Sequence, residues 1–260
     1  MNKLLWELSE KHKSIFYCVG YLYSTQVYFK GDWMKYRILL FDLDDTILDF
    51  GKAEEQAFYK TFEDNDLTVN LDMFNKYKEI NAVMWKNHEK GLVSRDEIMV
   101  ERYVKLFEVY NIKKDAVNFN REYLNNLSLG SFSVEGAAEF LKEIKSDFKI
   151  YAVTNGEEKT QKMRLKNSDV GIYLDAVITS EQAGFNKPQI EFFDYAFNKL
   201  KLTDKRGVLL IGDSLSADIK GAENYGLDSC WFNFRNKPKD ESVEPNYEVK
   251  SFDELKKIIY

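Results

Sequence analysis

YRILLFDLDDT, residues 36–46, is the stretch on which the fold turns. Residues 36–43 make a short, nearly continuous apolar run, as in a strand buried on both faces, and the run ends in a burst of carboxylates. Comparable runs recur at residues 149–153, 176–178, 208–211 and 229–232. Between them apolar residues return at helical spacing: Val134, Ala138, Leu141 and Ile144; then Ile190, Phe193 and Phe197; then Leu215, Ile219 and Ala222. Ser251 and Glu254 form a capping-box pattern ahead of Leu255, Ile258 and Ile259. Strand alternating with helix predicts an α/β fold, a doubly wound parallel sheet.

Residues 51–130 break this rhythm. They hold no strand-like run. Met73, Tyr77, Ile80 and Met84 form one helical stripe. Ser94 and Glu97 form a second capping box, before Val100, Tyr103, Val104 and Phe107. Four or so helices are expected here, inserted after the first strand as a lid. The organisation is therefore a core of residues 34–50 and 131–260, with a helical cap at 51–130.

Composition narrows the chemistry. The net charge of −6 argues against nucleic acid as a partner. Two cysteines, Cys18 and Cys230, exclude a disulfide scaffold and fit a reducing, cytoplasmic setting. With two histidines, His12 and His88, a Ser-His-Asp triad or a His-rich metal site has almost nothing to draw on. Carboxylates and lysines are left to do any catalysis.

Residues 1–33 are rich in aromatics without a sustained period. Residues 15–29 resemble a signal-peptide core only faintly, and no run is long enough to span a membrane. AAA-GGA-GAU codons for Lys30-Gly31-Asp32 would form a bacterial ribosome-binding sequence at a suitable distance from Met34. Met34 is accordingly the expected start, and residues 1–33 an N-terminal extension that is a translated leader.

In an open parallel sheet, ligands bind beyond the carboxyl ends of the strands. The first strand ends at Asp42, Asp44, Asp45 and Thr46, and the second at Thr154, Asn155 and Gly156. A loop after the third holds Lys187 and Pro188. The fourth ends at Gly212, Asp213 and Ser214, with Asp218 a helical turn further on. Each alone is an ordinary turn former, cap or surface lysine. Together they converge on one rim. Asp42, Asp44 and Asp213 make a negative cluster that a hard dication such as Mg2+ relieves, and Thr154, Asn155 and Lys187 suit a phosphoryl group.

This ordered set resembles the haloacid dehalogenase-like hydrolase superfamily, over residues 36–232. The resemblance implies that Asp42 is a nucleophile forming an aspartyl-phosphate and that Asp44 is the general acid and base. It implies that Asp42, the Asp44 carbonyl and Asp213 bind magnesium. Asp218 would sit behind the metal, Thr46 would orient the first loop, and Thr154, Asn155 and Lys187 would hold phosphoryl oxygens. An acid at Asp44 favours a phosphatase over a dehalogenase, since halide needs no proton. The second motif, the helical cap and residues 212–218 look most like the branch with pyrimidine 5′-nucleotidases. Sugar-phosphate, sialic-acid 9-phosphate and phosphoglycolate phosphatases are the alternatives. The expected partner is a small phosphate ester such as a nucleoside monophosphate, with no membrane, and the protein a monomer or homodimer. A phospho-aspartate receiver fails on strand order and has no lid. The intact acidic set argues against a silent binding protein. Phe50, Trp85 and His88 can face substrate, though ordinary packing is favoured for them.

Overall fold

A computed structural model of the protein describes residues 34–239 and 242–260. The expectations for residues 1–33 lie outside the described residues.

Six strands form one parallel sheet. They are β1 (Ile38–Phe41), β2 (Lys149–Thr154), β3 (Ala176–Thr179), β4 (Val208–Gly212), β5 (Asp228–Phe232) and β6 (Tyr247–Val249). Their order is β3-β2-β1-β4-β5-β6. The chain leaves β1 for one side of the sheet and returns to the other side at β4. The switch point therefore lies at the carboxyl ends of β1 and β4, where this topology places ligands.

The apolar runs are continuous because alternate side chains enter two cores. Leu39, Phe41, Ile150, Ala152, Leu209 and Ile211 face one side. There they meet α5 (Ala137–Ile144) and α10 (Phe252–Ile259). Leu40, Val153, Val208 and Leu210 face the other, against α8 (Ile190–Leu200) and α9 (Lys220–Tyr225). Two short helices complete this half, α6 (Glu158–Asn167) and α7 (Ser180–Ala183). The three-residue β6 was not foreseen, being too short and too polar to stand out in the sequence. At α10 the Ser251 hydroxyl accepts from the Glu254 N–H, but the Glu254 carboxylate turns to the Lys250 N–H, so the box is displaced by one residue.

The inserted block holds α1 (Phe50–Asp64), α2 (Leu71–Glu89), α3 (Arg95–Tyr110) and α4 (Ala116–Leu129). Ser94 and Glu97 complete the expected capping box of α3. The four helices close on an aromatic core of their own, including Phe58, Phe62, Phe74, Tyr77, Tyr103, Phe107, Phe119 and Tyr123. Among the described residues no helix is long and apolar enough to cross a membrane.

Candidate active site

Asp42 follows the last residue of β1, and its N–H donates to the Ile211 carbonyl of β4 at 2.8 Å. Past β4, residues Leu215–Ile219 wind as a π-helix, with the Ser214 carbonyl accepting from both Asp218 (2.9 Å) and Ile219 (3.2 Å). Wide turns of this kind recur at functional sites. This one folds Asp218 back against Gly212. A Cβ on Gly212 would lie 2.2 Å from the Asp218 carboxyl carbon, so glycine is needed there for room.

Lys187 binds the cluster together. Its Nζ donates to Asp42 Oδ1 at 2.6 Å, Asp218 Oδ1 at 2.6 Å and the Val153 carbonyl at 2.7 Å. Three acceptors use all three ammonium protons. The Lys187 backbone is held in turn by Asn155: the Lys187 N–H donates to Asn155 Oδ1 and the Asn155 amide donates to the Lys187 carbonyl, both at 2.9 Å. The Asn155 side chain thus positions the lysine.

Burial pushes the Asp42 carboxyl well up, and Lys187 pulls it back. Burial alone would lower the Lys187 ammonium, but Asp218 and Asp42 outweigh it and hold the charge. Asp213 is pushed up to about 7, by burial first and by neighbouring Asp218, against the opposing charge of Lys237. Carboxylate oxygens of Asp42, Asp213 and Asp218 lie within 4.8 Å of one another. This all-oxygen anionic set fits a hard dication. Asp218 is the least available member, because Lys187 takes one oxygen and the Ser214 N–H, at 3.1 Å, the other.

Asp44 turns away from this cluster toward α6. Its carboxylate accepts from Gln161 Nε2 at 2.6 Å and is ion-paired with Arg164. Gln161 also donates to Thr154 Oγ1 at 3.2 Å, and Arg164 Nε donates to the Gly130 carbonyl at 2.9 Å. Arg164 is only 1% exposed. Thr154 Oγ1 also accepts the Gly156 N–H at 3.0 Å. Thr46 is fully buried and its Oγ1 has no hydrogen-bond partner among the described residues, while its main-chain N–H donates to the Leu43 carbonyl at 3.3 Å.

Sequence reasoning missed four residues at this rim. Gln161 and Arg164 are two. Their signal is α6 itself, which is almost wholly polar yet packs inward, so its inner face had to meet polar partners. The others follow β5. Arg235 bridges Asp45 Oδ1 and Asp49 Oδ1, each at 2.8 Å, and Lys237 is ion-paired with Asp213. Nothing in the local sequence marks them, because the contacts span 186 residues or more for Arg235.

A cavity of about 250 Å³ opens over the cluster. It runs from Asp42, Asp44, Lys187 and Asp213 to Phe50, Trp85, Asn81 and Arg102 of the helical block. Phe50 and Trp85 therefore line it, contrary to the expectation that they only pack. His88 does not; its Nδ1 bonds to the Val93 carbonyl at 2.8 Å.

Residues 36–226 match the model of the haloacid dehalogenase-like hydrolases. The chain is 38% identical to the HAD-hydrolase YfnB of Bacillus subtilis, covering 86% of this chain and 96% of that one. A magnesium-bound crystal structure of YfnB superposes with a TM-score of 0.83, over 86% of this chain and 99% of that chain. Pyrimidine 5′-nucleotidase PynA of Streptococcus pneumoniae is 33% identical over 85% of this chain and 94% of its own. Pyrimidine 5′-nucleotidase YjjG of Escherichia coli is 28% identical over 87% and 99%. With its strand-end carboxylates, buried lysine and parallel sheet, the chain belongs to the haloacid dehalogenase-like hydrolases.

Proposed function

We propose that the protein is a magnesium-dependent phosphatase that hydrolyses pyrimidine nucleoside monophosphates in the cytoplasm. One observation carries this: a single cavity joins the Asp42–Lys187 cluster to aromatic walls at Phe50 and Trp85. A phosphate and a flat base need such a pair of environments. The nucleotidase names of PynA and YjjG support the choice of ester.

Residues 51–130 act as a cap on the core formed by 34–50 and 131–260. Asp42 and Asp213, with the Asp44 carbonyl, would hold Mg2+, and Asp218 would stand behind them. When bound, the ion neutralises charge on the phosphoryl oxygens. Asp42 attacks phosphorus and the ester P–O bond breaks, giving an aspartyl-phosphate. The leaving oxygen takes its proton from Asp44, which then removes a proton from the water that hydrolyses the intermediate. For this Asp44 must give up an oxygen now held by Gln161 or Arg164. Thr154 and the Asn155 main chain bind phosphoryl oxygens, while Lys187 supplies fixed positive charge beside Asp42.

The test is phosphate release with Mg2+ from nucleoside monophosphates, sugar phosphates and phosphoglycolate. Pyrimidine nucleotides should lead, and Asp42→Asn should abolish turnover. Activity confined to sugar phosphates or phosphoglycolate would overturn the substrate assignment, and full activity of Asp42→Asn the mechanism.

A further inference from the structure

Asn233, just past β5, repeats an arrangement already met at Lys187. It is buried, and its main-chain N–H donates to the Val249 carbonyl of β6 at 2.7 Å. Its Oδ1 accepts the Lys237 N–H at 2.7 Å, and its Nδ2 donates to the Lys237 carbonyl at 3.0 Å. Asn155 clasps the Lys187 main chain in the same way. Both clasped lysines turn their ammonium groups onto carboxylates of the rim, Lys187 onto Asp42 and Asp218 and Lys237 onto Asp213. Trp231 of β5 fixes Asp213 through the main chain, its Nε1 donating to the Asp213 carbonyl at 2.9 Å.

The two lysines differ in their freedom. The Lys187 side chain is 2% exposed, and its ammonium spends every proton on Asp42, Asp218 and the Val153 carbonyl. The Lys237 side chain is 43% exposed, and among the described residues its ammonium has one acceptor, Asp213. Lys237 thus has a fixed base and a removable head, on a flexible stem. There is room for the head to move. A second hollow, of about 560 Å³, shares Asp213 with the cavity over the nucleophile, and Lys237, Pro238, Trp231, Ser216 and Glu89 line it. Charge gives a reason for it to move. Lys187 offsets only one of the three formal negative charges on Asp42, Asp213 and Asp218. What is left matches a dication, whereas Lys237 offsets half of it and occupies a carboxylate that the dication needs. Lysine and dication are therefore alternatives at Asp213.

Building on the magnesium reading of this site, we propose that Lys237 is a tethered counter-cation that competes with Mg2+ for Asp213. Before the metal binds, Lys237 offsets part of the negative charge and lets the buried carboxylates share one rim. When the metal binds, the ammonium withdraws into the adjoining hollow. Lys237 is a positioning residue: it acts through Asp213, and its effect is to set the Mg2+ concentration at which the enzyme loads.

The experiment is calorimetric titration of Mg2+ into the chelator-treated protein, for wild type, Lys237→Met and Lys237→Arg. Lys237→Met loses a half-exposed, charge-assisted hydrogen bond from the metal-free state alone, so it should bind Mg2+ about five- to tenfold more tightly than wild type. Lys237→Arg keeps a cation on the tether and should stay within about threefold of wild type. Melting gives a second readout. Metal-free Lys237→Met should melt below metal-free wild type, and saturating Mg2+ should close the gap, since Asp213 then no longer holds the lysine. In wild type carrying isotope-labelled lysine, the NMR signal of Lys237 Cε, identified by its absence from Lys237→Arg, should move to the position of a free lysine as Mg2+ is added. That measurement serves if the methionine variant does not fold. Unchanged or weaker Mg2+ binding by folded Lys237→Met, a melting gap that persists at saturation, or a Lys237 signal indifferent to Mg2+ overturns this inference and leaves the magnesium reading standing. A wild type that binds no Mg2+ removes both.

Discussion

Gly212→Ala should damage the site from the back, without replacing a charged residue. The new Cβ would fall 2.2 Å from Asp218 Cγ, 2.3 Å from Oδ2 and 2.5 Å from Cβ. Carbon atoms in ordinary contact stand about 3.5–4.0 Å apart, so the Asp218 side chain must shift by more than about 1 Å. It cannot do so for free. One oxygen holds Lys187 Nζ at 2.6 Å and the other the Ser214 N–H at 3.1 Å. Losing two hydrogen bonds to a charged group costs about 1.5–3 kcal/mol each, so the substitution should cost roughly 3–6 kcal/mol. For a domain of this size that is a fall in Tm of roughly 6–24 °C. Urea denaturation of wild type, Gly212→Ala, Asp218→Ala and the double variant forms the assay. Truncating Asp218 removes the group the methyl strikes, so the double variant should be little worse than Asp218→Ala alone, with a coupling of about 2 kcal/mol or more. Strict additivity, or a Gly212→Ala cost below about 1 kcal/mol, would refute the claim that glycine is there to admit Asp218.

Lys187→Met removes the ammonium shared by two buried carboxylates, Asp42 and Asp218. Breaking a buried pair in this way costs about 3–5 kcal/mol. The loss should be larger at pH 8 than at pH 5, where a proton can substitute for the ammonium; equal melting of variant and wild type at pH 8 would contradict it. Glu54 gives the opposite sign from an ordinary carboxylate, because burial raises it from 4.5 to about 7 against the pull of Arg102. The folded protein binds more protons than the unfolded chain between these values, so stability falls as pH rises from 4.5 through 7. The penalty approaches about 3 kcal/mol above pH 7. Glu54→Gln should flatten that slope in denaturation measured at pH 5 and pH 8, and an unchanged slope would sink the assignment.

The sheet was legible because burial on both faces leaves uninterrupted apolar runs, and β1, β2, β3, β4 and β5 emerged within a residue or two. The convergent rim was legible because parallel topology brings strand ends together whatever their distance in the chain. Three things were not. The three-residue β6 owes its place to pairing with β5, and short polar segments carry no period to detect. Arg164 looks like any solvated arginine on a polar helix until tertiary packing buries it against Asp44. Arg102 falls within a helical pattern, and only the meeting of α2, α3 and α4 shows that its guanidinium faces Asn81 and Asn120. Charge partners far apart in sequence leave no local trace.

The guanidinium of Arg164 has a mechanical consequence. It holds the Asp44 carboxylate with one nitrogen and, with another, the carbonyl of Gly130, the residue at which the chain leaves the helical block for the sheet. Its carbon also lies 5.8 Å from the ring centre of Phe50, where the chain enters that block. One side chain thus reaches both crossings of the chain and the Asp44 carboxylate between them. A swing of the block about those crossings would draw Arg164 along Asp44, so the acid would be freed or captured in step with the opening of the cavity.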